Sequence, residues 1–409
     1  MEKTFFHRFN FIVLFAALGL LTVGLLAIYS ATFGNELTSA NFDKQLIAGL
    51  GGLFVALVIT FLPPKYISSS AFLFYGLIIL LLVVVLVVGH RTKGQTSWFH
   101  IAGFGFQPSE FAKVAVVLAL ASFLSNRQKD TDVTNPKDFF WAVGIGMFPV
   151  ALIMLQPDLG TSLVFLVVLL PILYWAGMPN FILFIFVAPA AAAICAFLGT
   201  WFFIAAMGLT LIALLSFKKN LLISTLIFTS VIISGLSVNL VYNKLQPYQQ
   251  KRIAAMFNPE ADALGSGYNV IQSKIAIGSG GLWGKGFLQG TQTQLKYIPE
   301  QWTDFIFCMV GEEFGFAGSM VVVFLFVILI WQTITIAYNC KNRFLSICCI
   351  GFGTILSFHM LINMGMTMGI MPVIGIPLPF MSYGVTFLVS DMIMLGVIMN
   401  AYRNRKEYV

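Results

Sequence analysis

The stretch FIVLFAALGLLTVGLLAIYSA, Phe11 to Ala31, carries no charged side chain. As a helix, roughly 20 residues rise about 30 Å, the thickness of a bilayer's hydrocarbon core. The run is longer than the apolar core of a secretory signal peptide, and Lys3 and Arg8 precede it. It reads as an uncleaved first membrane helix with its N-terminus in the cytoplasm.

Similar runs follow near 45–61, 71–89, 108–125, 139–155, 161–177, 181–199, 201–217, 221–241, 316–338, 345–371 and 385–401. None alternates with period two. In lipid only helices and closed barrels satisfy the backbone, so the chain reads as an all-α polytopic membrane protein of about twelve helices. Composition agrees: 59% of the 409 residues are apolar and 10% are charged, against about 25% charged in soluble domains. Mean hydropathy is +0.91. The net charge of +7 does not imply nucleic acid, because Lys and Arg collect on the cytoplasmic side of membrane proteins. Cys195, Cys308, Cys340, Cys348 and Cys349 show neither a disulfide framework nor metal-ligand spacing and read as core residues.

Charge orients the helices. With the N-terminus inside, the short cytoplasmic segments hold Lys65, Arg127, Lys129, Lys137, Lys218, Lys219, Lys341, Arg343, Arg403, Arg405 and Lys406, as the positive-inside rule requires. Both termini are expected in the cytoplasm. The whole chain, 1–409, reads as one transmembrane domain. The outer face then carries 90–107, a long segment at about 242–315, and PVIGIPLPFMSYG at 372–384. So long an outer segment points to function. Its cations, among them Lys244, Lys251, Arg252, Lys274, Lys285 and Lys296, suit an anionic partner. GSGGLWGKG, Gly278 to Gly286, lacks the Gly-Lys-Ser/Thr ending of a nucleotide loop. Its glycines instead suit a tight turn or close backbone approach.

Charges near the bilayer are candidates for function. In QPSEFAK, 107–113, Glu110 and Lys113 share a helix face just after Pro108, either as a capped helix with an ion pair or as the lining of a wet cavity. Asp158 in QPDLGTS reads as a helix cap or a site residue. Glu312 and Glu313 are adjacent, so on a helix they point apart. Asp391, alone in the last apolar run, suits a hydrogen bond to a neighbouring helix. Asp304, in YIPEQWTDFIF (297–307), lies where a polar stretch becomes apolar. Aromatic neighbours and nearby cations would pull its pKa in opposite directions, the setting of a general base.

These motifs, with YQQKRIAAMFNPEADALGSGYNVIQSKIAIGSGGLWGKG (248–286), GEEFGF (311–316) and GIPLPFMSYG (375–384), resemble the SEDS family (shape, elongation, division and sporulation) of membrane glycosyltransferases. GFLQGTQTQLKYIPE is closer to the elongation (RodA-type) branch. The resemblance implies polymerisation of lipid II outside the cytoplasmic membrane, a class B penicillin-binding protein as partner, and no nucleic acid. It places the catalytic aspartate on Asp304, the charged pair on Glu110 and Lys113, and a functional outer-loop tryptophan on Trp98. Asp158, Arg252, Lys274, Ser382 and Tyr383 are the further candidates for holding substrate. Lys113, Arg252 and Lys274 are candidate cations for a diphosphate, with Lys113 preferred, a role a divalent ion such as Mg²⁺ or Mn²⁺ could share; no ligand cluster for one is evident. Trp302 stands where the family commonly has His, and Val385-Thr386 where Gly-Ser is usual. Residues of about 201–240 look like two helices inserted into a ten-helix plan. Two other classes stay open: a transporter that flips lipid-linked precursors, and a non-enzymatic scaffold for cell-wall enzymes.

Overall fold

The computed structural model describes residues 9–34, 36–92, 95–101, 104–126, 136–217, 220–245, 247–257, 266–299 and 301–406. Lys3, Arg8, Arg127, Lys129, Lys218 and Lys219, used above to orient the chain, lie outside them.

Twelve long apolar helices form the body: α1 (Phe11–Thr32), α2 (Glu36–Phe61), α3 (Pro64–Val88), α4 (Pro108–Ser125), α5 (Pro136–Met154), α6 (Leu159–Trp175), α7 (Asn180–Leu198), α8 (Thr200–Phe217), α9 (Leu221–Lys244), α14 (Gly315–Asn339), α15 (Arg343–Thr367) and α16 (Val385–Arg403). Eleven are long and apolar enough to cross a membrane, and α6, at 17 residues, is the shorter apolar one. Their ends are set locally. Asn10 and Asn342 cap α1 and α15 through side-chain oxygens, and Pro64 and Pro108 open α3 and α4, where a missing N–H costs nothing.

Some boundaries depart from the apolar runs. Helix α3 starts at Pro64 rather than 71, because Ser70 returns its hydroxyl to the carbonyl of Tyr66 at 2.8 Å; a serine satisfied within its own helix can stay in it. Helix α15 stops at Thr367, short of the run's end at 371. The all-α reading omits a small antiparallel sheet between α3 and α4, ordered β1 (His90–Thr92), β2 (Gln95–Ile101), β3 (Phe104–Phe106). Phe106 stacks on Phe111 at 5.4 Å and ties the sheet to the start of α4.

Burial separates a centre from a periphery. Over their most apolar windows α4, α15 and α16 are 83%, 72% and 78% buried, whereas α7, α8 and α9 are 11% buried each. The latter three make their own small core, Ala188, Ala192 and Val231 with Phe203. Helix α7 joins the main body through Ile182 and Leu183 and the Phe139–Phe186 ring contact.

Four shorter helices lie between α9 and α14: α10 (Pro247–Phe257), α11 (Ser266–Ser279), α12 (Thr291–Gln294) and α13 (Ile306–Glu313). Between α11 and α12 the glycine-rich stretch packs backbone on backbone. A Cβ on Gly280 would meet the Gly311 carbonyl at 2.0 Å, and one on Gly284 (φ +81°) the Glu313 carbonyl at 2.1 Å. Hydrogen bonds from Lys285 N to Glu312 O and from Phe316 N to Gly281 O close this contact.

Candidate active site

Between α15 and α16 the chain returns into the bundle without regular structure, yet Ile376, Leu378, Phe380, Met381 and Ser382 are buried. Irregular backbone at membrane depth survives only where protein satisfies it, and here side chains of three helices do. Gln45 of α2 donates to Ser382 O at 3.0 Å and accepts from Gly384 N at 3.1 Å. Nine residues into α2, it marks a descent of about 13 Å. His359 of α15 meets Pro377 O at 3.0 Å. Asp391 of α16 accepts from Phe380 N at 2.9 Å. Phe380 has φ +62°, a left-handed conformation that costs a side chain about 1–2 kcal/mol, so the Asp391 bond holds strained backbone. Asp391 therefore serves a loop rather than a neighbouring helix.

Asp304 lies in the turn just before α13 and is half-buried. That turn is fastened to the returning segment. Ser382 Oγ donates to Thr303 O at 2.6 Å, Tyr383 N donates to Trp302 O at 2.9 Å, and Asn363 of α15 donates to Asp304 O at 2.8 Å. All three acceptors are backbone carbonyls. The Asp304 carboxylate faces Gly375, where a Cβ would come within 3.3 Å of Oδ2. Gly375 follows Ile374, which with Val373, Pro157, Leu163 and Arg252 lines a groove of about 200 Å³. The groove is largely apolar, and Arg252 of α10 supplies its positive charge.

Other candidates fall around this centre. Asp158 caps α6, accepting from Thr161 N at 3.1 Å and Thr161 Oγ1 at 2.8 Å, beside the groove residues Pro157 and Leu159. Lys274 of α11 lies over Gly369, just past α15, with Nζ 2.6 Å from where a Cβ would stand; a cation there suits the negative end of that helix. Glu110 and Lys113 form an ion pair of 2.7 Å inside the bundle, with side chains 6% and 2% exposed. Trp98 of β2 is half-buried against Gly105; none of the bonds described around Asp304 reaches it.

Glu312 and Glu313 do point apart. Glu312 accepts from Lys285 Nζ at 2.8 Å and from Gln292 N, Thr293 N and Thr293 Oγ1, pinning the first turn of α12. Burial alone would raise its carboxyl, but Lys285 and these donors hold it below the ordinary carboxylate range. Glu313, bonded by Ser30 of α1, is pushed above that range by burial.

Sequence reading missed Gln45, His359 and Asn363. Gln45 sits behind Asp43 and Lys44 in the polar first turns of α2, and the usable signal in α15 was the spacing of His359 and Asn363, four apart on one face. Among the described residues no group of three His, Cys, Asp or Glu side chains converges.

A family model described as a cell cycle protein, covering FtsW, RodA and SpoVE, matches residues 10–198 and 181–407, its two pieces overlapping in α7. The peptidoglycan glycosyltransferase RodA of Treponema pallidum is 32% identical over 96% of this chain and 97% of its own length. The peptidoglycan glycosyltransferase MrdB of Escherichia coli K12 is 33% identical over 99% and 97%. A chain solved in a peptidoglycan synthase complex that coordinates polymerization and crosslinking superimposes with a TM-score of 0.71 at 29% identity, covering 98% of this chain and 99% of that one. Thermus thermophilus RodA shares the fold, with a TM-score of 0.64 at 23% identity, covering 98% of both chains. Matched from residue 10 to residue 407, the chain belongs to the FtsW/RodA/SpoVE family.

Proposed function

We propose that this chain polymerises lipid II into glycan strands at the outer face of the bacterial cytoplasmic membrane, with Asp304 as general base. The broader activity rests on kinship: near-full-length relatives at 32% and 33% identity are peptidoglycan glycosyltransferases, and this chain is one, of the cell-elongation type.

One observation carries the finer reading. Three hydrogen bonds, one each to the Trp302, Thr303 and Asp304 carbonyls, tie down the turn that carries Asp304, while its carboxylate faces Gly375, next to an apolar groove that contains Arg252. A polyprenyl diphosphate needs apolar length for its tail and a cation for its phosphates, and the acceptor sugar needs a base. Asp304 takes the proton from the acceptor's 4-hydroxyl. That oxygen attacks the donor's anomeric carbon with inversion, and the lipid diphosphate leaves. Charge grows on the diphosphate in the transition state, where preorganised Arg252 lowers the barrier. Lys274 lies on the same end of the bundle. A divalent ion, if the reaction uses one, would travel on the substrate's phosphates, as Mg²⁺ commonly does.

A flippase would need a polar path through the midplane. The buried ion pair Glu110–Lys113 sits at the start of α4 and is sealed, which favours chemistry at the outer end. By analogy with the synthase-complex neighbour, the partner is a class B penicillin-binding protein that crosslinks the product.

The test uses labelled lipid II with purified chain, alone and with that partner, comparing wild type and Asp304→Asn. Wild-type ladders that disappear in the variant support the reading. Equal ladders from both give the base role to another group. No ladder from folded, partner-bound wild type would sink polymerisation and turn attention to flipping.

A further inference from the structure

Lys113 is the most deeply placed cation near the site, and its side chain is 2% exposed. It has no open surface for a substrate. Its ammonium sits 2.7 Å from Glu110 Oε2, 3.3 Å from His359 Nε2 and 5.1 Å over the Phe387 ring. His359 is 1% exposed, and its other nitrogen, Nδ1, is 3.0 Å from Pro377 O. A carbonyl only accepts, so Nδ1 carries the proton. Lys only donates, so Nε2 offers its lone pair. The two contacts fix one tautomer of a neutral ring.

What His359 holds is one end of a rigid plane. Pro377 C=O and Leu378 N–H belong to the same peptide unit, which is planar. The Leu378 N–H end donates to Ser382 Oγ at 2.8 Å, and that hydroxyl donates to Thr303 O at 2.6 Å. Thr303 C=O is in turn part of the peptide unit that ends at Asp304 N. A tilt at His359 therefore reaches the Asp304 backbone through two peptide planes and one hydroxyl. One turn further along α15, Asn363 fastens Ile376 O and Asp304 O, so the plane cannot drift away from the histidine independently.

We propose that His359 is a positioning residue that couples the Glu110–Lys113 pair to Asp304 through the Pro377–Leu378 peptide and Ser382. The pair then governs the rate of glycosyl transfer without touching substrate. This rests on Asp304 acting as the base. Misplacing a catalytic group by about 1 Å costs on the order of a hundredfold in rate.

The experiment compares His359→Leu, His359→Gln, Lys113→Met and the double variant Lys113→Met/His359→Leu in the full-length chain with its partner. Kinetics with lipid II are read beside amide hydrogen exchange of 301–307 and 376–384. Leu offers neither bond. Gln can donate to Pro377 O and accept from Lys113. His359→Leu and Lys113→Met should each lower kcat by about a hundredfold, with KM held within about twofold. Exchange of both segments should rise, the double variant should fall no further, and Gln should restore rate and protection together. If His359→Leu does not fold, His359→Gln alone decides: a folded, protected but inactive Gln variant means the ring has its own chemistry. A raised KM with kcat kept in Lys113→Met puts that lysine on the substrate, and additive losses in the double variant separate the two residues. Either result overturns the coupling. Exchange needs no turnover, so an inactive wild type would defeat the assigned reaction while leaving the coupling to be judged on its own.

Discussion

The Asn363 side-chain amide donates at 2.8 Å both to the Asp304 carbonyl and to the Ile376 carbonyl. One buried group thus joins the turn that carries the proposed base to the segment that returns between α15 and α16. Leu at this position would strand two carbonyls, each at about 1–3 kcal/mol. Asn363→Leu should lower the thermal midpoint in scanning fluorimetry and abolish glycan ladders. A variant with unchanged midpoint and ladders would show that the clamp is dispensable.

Gly375 should be sensitive in a different way. Its φ is +79°, and an added methyl would stand 3.3 Å from Asp304 Oδ2. Gly375→Ala carries about 1–2 kcal/mol of backbone strain, and its larger effect is expected on the carboxylate. Measured kcat should fall by about tenfold or more in protein that still purifies with its partner.

The adjacent glutamates should respond in opposite directions to acid. Glu312 is held below its ordinary value of 4.5 by Lys285 and the α12 donors, against the opposing effect of burial. Its contribution is present above 4.5 and is lost as pH falls through the depressed folded value. Glu312→Gln should cost about 2 kcal/mol near neutrality and less in acid. Glu313 is raised above 4.5, chiefly by burial. Its protonated form supports the fold below 4.5, and that support fades as pH rises through the raised value. Glu313→Gln, which keeps an acceptor for Ser30, should raise the neutral-pH midpoint, with the gain shrinking toward acid. Midpoints measured across pH for both variants check the signs.

Arg252 faces the groove beside the Asp304 loop. Arg252→Met preserves length and removes charge. It should raise KM for lipid II by about tenfold or more, the value of a charge-assisted contact, and flatten the salt dependence of KM. Unchanged KM would place the diphosphate elsewhere.

The twelve helices were legible because hydropathy is a sum over many residues and tolerates local error. Helix α1, expected over 11–31, runs Phe11–Thr32. Asp304 stood out because a charge beside Trp302 and Phe305 is conspicuous in one dimension. The support around it was not legible. Gln45, His359 and Asn363 come from two helices far apart in sequence, and nothing in one dimension shows that they converge on the same returning segment. The sheet at 90–106 was hidden for another reason: its strands are three, seven and three residues long, too short for alternation to register. The Asp158 cap was readable from QPDLGTS, since the bond to Thr161 spans only three residues.

The glycine contact at 280–286 against 311–315 fixes the point from which the chain runs on to Asp304. Backbone meets backbone there, so no side chain can shrink or turn to absorb a change. Helix α11, which leads into this seam, is itself tied in: Val270, Ser273 and Ala276 are buried, and Ser273 Oγ donates to Thr367 O at 2.8 Å. Residues 287–305 run from the seam to Asp304 like a tether of set length. An added residue in that tether would shift the aspartate against Gly375, with no slack on the α11 side of the seam to take it up.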